Sequence, residues 1–240
     1  MNKIKKSFIL FSAVVLFACQ SGKTENAGKI LPIDIKQSNE LSEMLDSSYT
    51  YTILETCDEG LIGEISKIEL TDDRIYLFDS RKNVISIFGK TGNFINQIKK
   101  IGQGPGEYTS LTDMVILNSD IYVLAGNRII VYGEDGTWIK TIPLDTYYNH
   151  FHLINDSLLY LYSGKSNLTM YDFALFNYTT GSFVERFAPY KRTDSYMSRT
   201  SPFHKTDSKE LLVIDEYDYN IYSLTDTLLE IGRASCRERV

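Results

Sequence analysis

The chain has 240 residues, of which 12% are aromatic and 23% charged, and it carries 25 Lys and Arg against 31 Asp and Glu. A net charge of −6 argues against nucleic acid as a partner, because such proteins neutralise phosphates with basic patches. Three cysteines are too few for a disulfide framework, so a stable fold has to come from apolar burial.

The chain opens MNKIKKSFILFSAVVLFAC, with Lys3, Lys5 and Lys6 ahead of an apolar run over Ser7–Ala18. About a dozen apolar residues fall short of the roughly 20 needed to cross a bilayer, and the layout is that of a secretory signal. The run ends Leu16-Phe17-Ala18-Cys19, which resembles a bacterial lipobox, although Phe17 is bulkier than the usual residue there. On that reading 1–18 is a signal peptide and Cys19 is the lipid attachment site, anchoring the chain to a membrane through its N-terminus. The alternative is an ordinary signal with an incidental cysteine. QSGKTENAGK follows, polar and without periodicity, so 19–48 is expected to be a flexible tether with one weak helical stretch, NELSEMLDSS, at 39–48.

From residue 49 onward the apolar period becomes two, in short runs rich in Ile, Val, Tyr and Phe: TYTILE, KIELTD, RIYLFD, VISIFG, FINQIK, DMVILN, DIYVLA and RIIVYG. Gly, Asn, Asp or Lys closes most of them, which predicts an all-β chain of hairpins. The runs recur in groups. IYLFDSRKNVISIFGKTGNFINQI at 75–98 is answered by IYVLAGNRIIVYGEDGTWIKTI at 121–142, with Tyr76 and Tyr122 46 residues apart. A third copy lies around 159–187 and a fourth begins at 211. A period near 45 residues with about four strands per unit predicts β-propeller blades, which bury their faces by stacking in succession. GKTG and GEDG predict tight hairpins with positive-φ glycines, each followed by an aromatic (Phe94, Trp138; Phe183 in the third copy) expected to pack between blades. The propeller segment is placed at 49–229. The final residues, EIGRASCRERV at 230–240, are basic, and Ile231–Val240 resembles the in-frame translation of a sequencing-library adapter. The tail is therefore expected to be non-native. Without Lys3, Lys5, Lys6, Arg233, Arg237, Arg239 and Glu238 the balance is 19 basic against 30 acidic residues, about −11.

Between the first two repeats stands IGQGPGEY, 101–108. Its glycines suggest a phosphate cradle, but no helix follows, the terminal Gly-Lys-Ser/Thr is missing and Pro105 lacks an N–H. A rigid turn between blades is the better reading, with Glu107 and Tyr108 entering the next strand.

The unit IYLFDSRKNVISIFGKTGNFI followed by IGQGPGEY resembles the six-bladed β-propeller lipoproteins of Bacteroidetes-type bacteria, whose blades are related to the NHL repeat. A G-x-G-P-G-E-aromatic segment marks that family, matched here by Gly102, Gly104, Pro105, Gly106, Glu107 and Tyr108. The resemblance implies six blades, of which 49–229 supplies about four, and an outer-membrane or other envelope location. It implies no cofactor and no particular chemistry.

Candidates for chemistry are few. His150-Phe151-His152 on a strand turns both rings to one face and, with His204, suggests the start of a ligand or metal site, although nothing nearby completes a metal set. Asp215, Glu216 and Asp218 lie among tyrosines, which suits a cation or sugar, or simply a hairpin turn. Asp79-Ser80-Arg81 reads as an Asx turn. No nucleophile elbow, H-E-x-x-H or C-x-x-C occurs. The function expected is therefore an envelope-tethered binding module for a glycan, peptide or envelope protein. The alternative is a glycan-active hydrolase or lyase, with charged side chains gathered at the propeller axis.

Overall fold

A computed structural model describes residues 50–164, 171–189, 201–205, 211–214, 220–224 and 228–233. The expected signal peptide, Cys19, the whole of the tether, and Asp215, Glu216 and Asp218 lie outside them.

Sixteen strands form four antiparallel four-stranded sheets, and among the described residues there is no helix. Blade 1 comprises β1 (Lys67–Leu70), β2 (Arg74–Asp79), β3 (Val84–Gly89) and β4 (Phe94–Ile98). Blade 2 comprises β5 (Asp113–Leu117), β6 (Asp120–Leu124), β7 (Arg128–Tyr132) and β8 (Trp138–Pro143). Blade 3 is β9 (His150–Leu153), β10 (Leu158–Tyr162), β11 (Tyr171–Asn177) and β12 (Ser182–Pro189). Blade 4 is β13 (Phe203–Lys205), β14 (Leu211–Ile214), β15 (Asn220–Leu224) and β16 (Leu228–Arg233). In every sheet spatial order follows chain order, and β1 packs beside β5 and β5 beside β9, so the first strand of each blade is the inner one. This is a β-propeller arrangement.

Alternation along the strands explains the stacking. Tyr76, Phe78, Ile85, Ile87 and Ile98 of blade 1 meet Met114, Ile121, Val123, Ile130 and Tyr132 of blade 2. The opposite face of blade 2, with Leu124, Ile129 and Val131, meets Phe151, Leu159, Leu161 and Phe176 of blade 3. Tyr160, Tyr162, Phe173 and Leu175 then meet Leu211 and Val213 of blade 4. Each pairing removes large apolar side chains from water, at roughly 1.5–3 kcal/mol for each one fully buried.

The third and fourth strands share a defect that marks the repeat. Their register shifts at Ile87/Phe88, Val131/Tyr132, Leu175/Phe176 and Ile221/Tyr222, one bulge per blade just ahead of the outer hairpin. In those hairpins Gly92, Gly136 and Gly181 hold φ of +91°, +78° and +71°. Gly89 and Gly133, expected to do the same, do not: each is the acceptor that closes the turn, receiving the N–H of Gly92 or Gly136.

Other expectations are corrected. TYTILE is not a strand; it runs as a strap along blade 1, held by Glu55 N–H to Gly92 O at 2.8 Å and by Phe94 N–H to Glu55 Oε2 at 2.7 Å. Its alternating apolar side chains, Tyr51 and Ile53, stay exposed, so the alternation there marks no buried face. Of the three aromatics expected between blades, Phe183 does pack, through Phe176, against the core between blades 2 and 3, whereas Phe94 stacks edge-on with Phe88 of its own sheet and Trp138 reaches the loop that joins blades 1 and 2.

Candidate functional site

Two of the places where polar side chains from different elements meet are the inner strands and the 99–112 connection.

Lys67, Asp113 and His150 are the first residues of β1, β5 and β9. They oppose Phe78, Leu124 and Tyr162 on the second strands, which makes them equivalent positions in three successive blades. Asp113 is buried. Its Oδ1 accepts from Lys67 Nζ at 2.8 Å and from the Met114 N–H at 2.8 Å, and its Oδ2 accepts the Phe151 N–H at 3.1 Å. One carboxylate thus fastens three blades together. Lys67 is further held by Met114 O at 2.7 Å and by Glu69 at 3.4 Å. Burial by itself would raise the Asp113 carboxyl, but the Lys67 charge, His150 and the hydrogen bonds hold it below the usual carboxylate range. Lys67 is raised: burial disfavours its charge, and Asp113 and Glu69 more than offset that.

His150 Nδ1 lies 3.4 Å from Asp113 Oδ2, within ion-pair reach but without hydrogen-bond geometry to any described group. The ring stacks on Tyr162, with centroids 6.3 Å apart and planes at 21°. His152 stands on the same face of β9, as its spacing predicts, against Phe203. His204 is exposed on β13, and among the described residues no three His, Cys, Asp or Glu side chains come together in a metal-binding group. The aromatic neighbours of the two histidines turn them into packing elements.

The connection between β4 and β5 closes on itself. Gly104 N–H donates to Glu107 Oε2 at 2.8 Å and Glu107 N–H to Gly104 O at 3.1 Å. Gly102 N–H and Tyr108 O pair at 2.9 Å, as do Tyr108 N–H and Lys100 O. A Cβ on Gly102 would collide with the Glu107 carboxylate, which explains that glycine by close approach. With these amides engaged internally and Pro105 lacking a donor, the loop offers no nest for a phosphate. Tyr108 does not enter the next strand, since β5 starts at Asp113. It is instead fully buried, donating to Asn83 O at 3.0 Å or Ile98 O at 3.2 Å and accepting Lys100 N–H at 3.3 Å. Gly106, at φ +70°, receives the Tyr132 hydroxyl on its carbonyl at 2.5 Å and lies against the Cβ, Cγ and Cδ1 atoms of Trp138.

Asp79 makes the Asx turn its sequence suggests: Oδ1 accepts Lys82 N–H at 2.9 Å, and Oδ2 accepts the N–H groups of Gly63 and Glu64. Lys67 and Asp113 were not anticipated. The signal for them is a charged residue opening the inner strand of consecutive repeats, 46 positions apart. Trp138 was anticipated as an aromatic but not as part of a loop surface.

Among solved structures the chain is similar to a Bacteroides fragilis protein described as exported, at 19% identity and a TM-score of 0.62, over 78% of this chain and 55% of that one. It is also similar to a member of the DUF4221 family from Bacteroides vulgatus, at 12% identity and a TM-score of 0.52, over 76% and 61%. At these identities the likeness is one of fold, and the chain spans less than two thirds of the length of either relative. No curated protein matches the sequence. The profile of the Domain of unknown function DUF4934 matches residues 30–231, more than four-fifths of the chain, and the protein belongs to that family.

Proposed function

We propose that this chain forms part of an envelope-tethered β-propeller lipoprotein that acts as a binding or interaction module rather than as an enzyme. The observation that carries this is the state of the inner-strand charges. Asp113 has both oxygens occupied by Lys67 and two backbone amides, and Lys67 is in turn occupied by Asp113, Glu69 and Met114. Groups so engaged clip blades together, and neither Asp113 nor Lys67 is free to move a proton, as the acid or base of a hydrolase or lyase has to be. The partner is a glycan, a peptide or another envelope protein, met by the loops.

Ring completion to six NHL-like blades belongs to the same proposal. Ile68 and Leu70 alternate with Lys67 and Glu69 and lie on the face of blade 1 turned away from blade 2, where they are 51% and 69% exposed. Further blades of the same protein would cover that face, in keeping with the greater length of the similar structures.

Two experiments test the reading. Palmitate labelling in a lipoprotein-processing bacterium should mark the wild type and not Cys19→Ala; equal labelling refutes the anchor. Incubation of the full chain with isolated envelope fractions should give saturable retention with no release of cleaved glycan. Steady release of unsaturated or reducing ends would favour the hydrolase or lyase instead.

A further inference from the structure

The 99–112 connection and the β7–β8 hairpin border an open hollow of about 350 Å³, lined by Lys100, Gly106, Glu107, Tyr132, Asp135 and Trp138 among others. We propose that this hollow is a saccharide subsite, with the Trp138 indole as platform for a neutral sugar ring and the polar rim as partner for its hydroxyls. The inference rests on the binding-module reading and names its ligand class.

The platform is built and held. Trp138 packs against Gly106, which has no side chain to displace it, and its Nε1–H donates to Thr141 Oγ1 at 3.2 Å. The residue is nevertheless 45% exposed, whereas many of the domain's large rings are buried in the blade interfaces. Gly106 itself is fixed from below by the Tyr132 hydroxyl, and Arg128 holds the neighbouring Glu107 carbonyl at 3.1 Å. A fixed aromatic surface with a solvent-facing part binds ligands that present one flat apolar face and polar edges.

Charge at the rim selects among such ligands. Two carboxylates, Glu107 and Asp135, repel phosphate, sulfate and acidic sugars. Metal cations are disfavoured because Lys100 shares the hollow and the carboxylates are partly spent: Glu107 on Gly104 N–H, Asp135 on the N–H and hydroxyl of Thr137 at 2.9 and 2.7 Å. A purely apolar ligand would leave this rim unsatisfied. Neutral polyols remain: their hydroxyls donate to the free carboxylate lone pairs and accept from Lys100, while the C–H face of the ring lies on the indole. The volume is at the low end of the about 300–1,000 Å³ typical of ligand sites, which suits one or two rings rather than a long chain.

The test is direct because Trp138 is the chain's single tryptophan, so its fluorescence reports this site alone. The full chain is titrated with glucose, galactose, mannose, rhamnose, N-acetylglucosamine, cellobiose and maltose. A saturable emission change with at least one of them is expected, with Kd about millimolar for a ligand of a dozen or so heavy atoms. Asp135→Asn, a substitution at an exposed turn residue, should weaken that response about tenfold without changing the melting temperature. Silence across the panel, or a response unaffected by Asp135→Asn, overturns the subsite. Calorimetry with envelope fractions, run in parallel, separates the two levels: binding heat with a silent Trp138 overturns the subsite alone, and no heat overturns the binding module too.

Discussion

Replacing Asp113 by alanine should be among the most damaging single changes in the described domain. It removes the acceptor for two inner-strand amides, Met114 and Phe151, and the counter-charge of Lys67. Each buried N–H left without a partner costs about 1–3 kcal/mol. Lys67 retains Met114 O and Glu69 and a side chain that is 22% exposed, so its share is the smaller one. The sum agrees with the roughly 3–5 kcal/mol lost when one member of a buried ion pair is deleted. For a domain of this size each kcal/mol moves Tm by about 2–4 °C, so a fall of roughly 6–20 °C is expected by calorimetry, with a matching drop in urea midpoint. Changing Lys67→Met and Asp113→Leu together should cost less than Asp113→Leu alone, because the ammonium no longer faces an apolar side chain where its buried carboxylate partner stood. A loss below about 1 kcal/mol for Asp113→Ala would refute the claim that this carboxylate clips three blades. The pH dependence carries the same sign. The folded Asp113 value lies below its unfolded value near 3.8, so the unfolded chain binds more protons between the two. The contribution is complete above the unfolded value and is lost as pH falls through the folded one.

Gly106→Ala should destabilise by at least about 2 kcal/mol, since the added methyl meets Trp138 Cγ at 2.6 Å and the backbone is left-handed there; red-shifted or broadened Trp138 emission would accompany it as the indole is pushed toward water. Tyr108→Phe strips a hydroxyl that serves Asn83 O, Ile98 O and Lys100 N–H and should cost about 1–3 kcal/mol by urea denaturation, with the loop register otherwise kept. In alkaline spectrophotometric titration Tyr76 should ionise late, because burial and then Glu134 push it up to about 12. Its folded value exceeds the unfolded one, so its contribution is whole below pH 10 and disappears as pH rises toward 12; a complete tyrosine titration near pH 10 with the fold intact would contradict this.

What the sequence disclosed and what it hid divide along chemical lines. Two-residue alternation reports which side of a strand is apolar, and hairpin glycines report where the chain reverses, so the blades of 75–98 and 121–142 were legible as a repeat. The same alternation in TYTILE misled, because Tyr51 and Ile53 are exposed there and a two-residue period does not distinguish an exposed apolar side chain from a packed one. Tyr108 was misplaced for a related reason: the loop needs an aromatic to fill the space between Asn83 and Ile98, and that need is tertiary. Lys67 and Asp113 were invisible to local reading since each is an unremarkable charged residue until β1 and β5 are set side by side. For His150 and His152 the shared face was legible, but their ring contacts with Tyr162 and Phe203 were not, because those residues come from other strands.

The chain-ordered sheets have a kinetic meaning. Every ladder joins strands adjacent in sequence, so each blade can form from its own hairpins without waiting for distant chain, a topology of short loop closures. The Asp113 clip works on a longer range and matures later, when β1, β5 and β9 are all present. Assembly is thereby split into a fast local stage and a slower locking stage. A polypeptide delivered N-terminus first would raise its blades one at a time, and the buried carboxylate would check that three had arrived in the correct order.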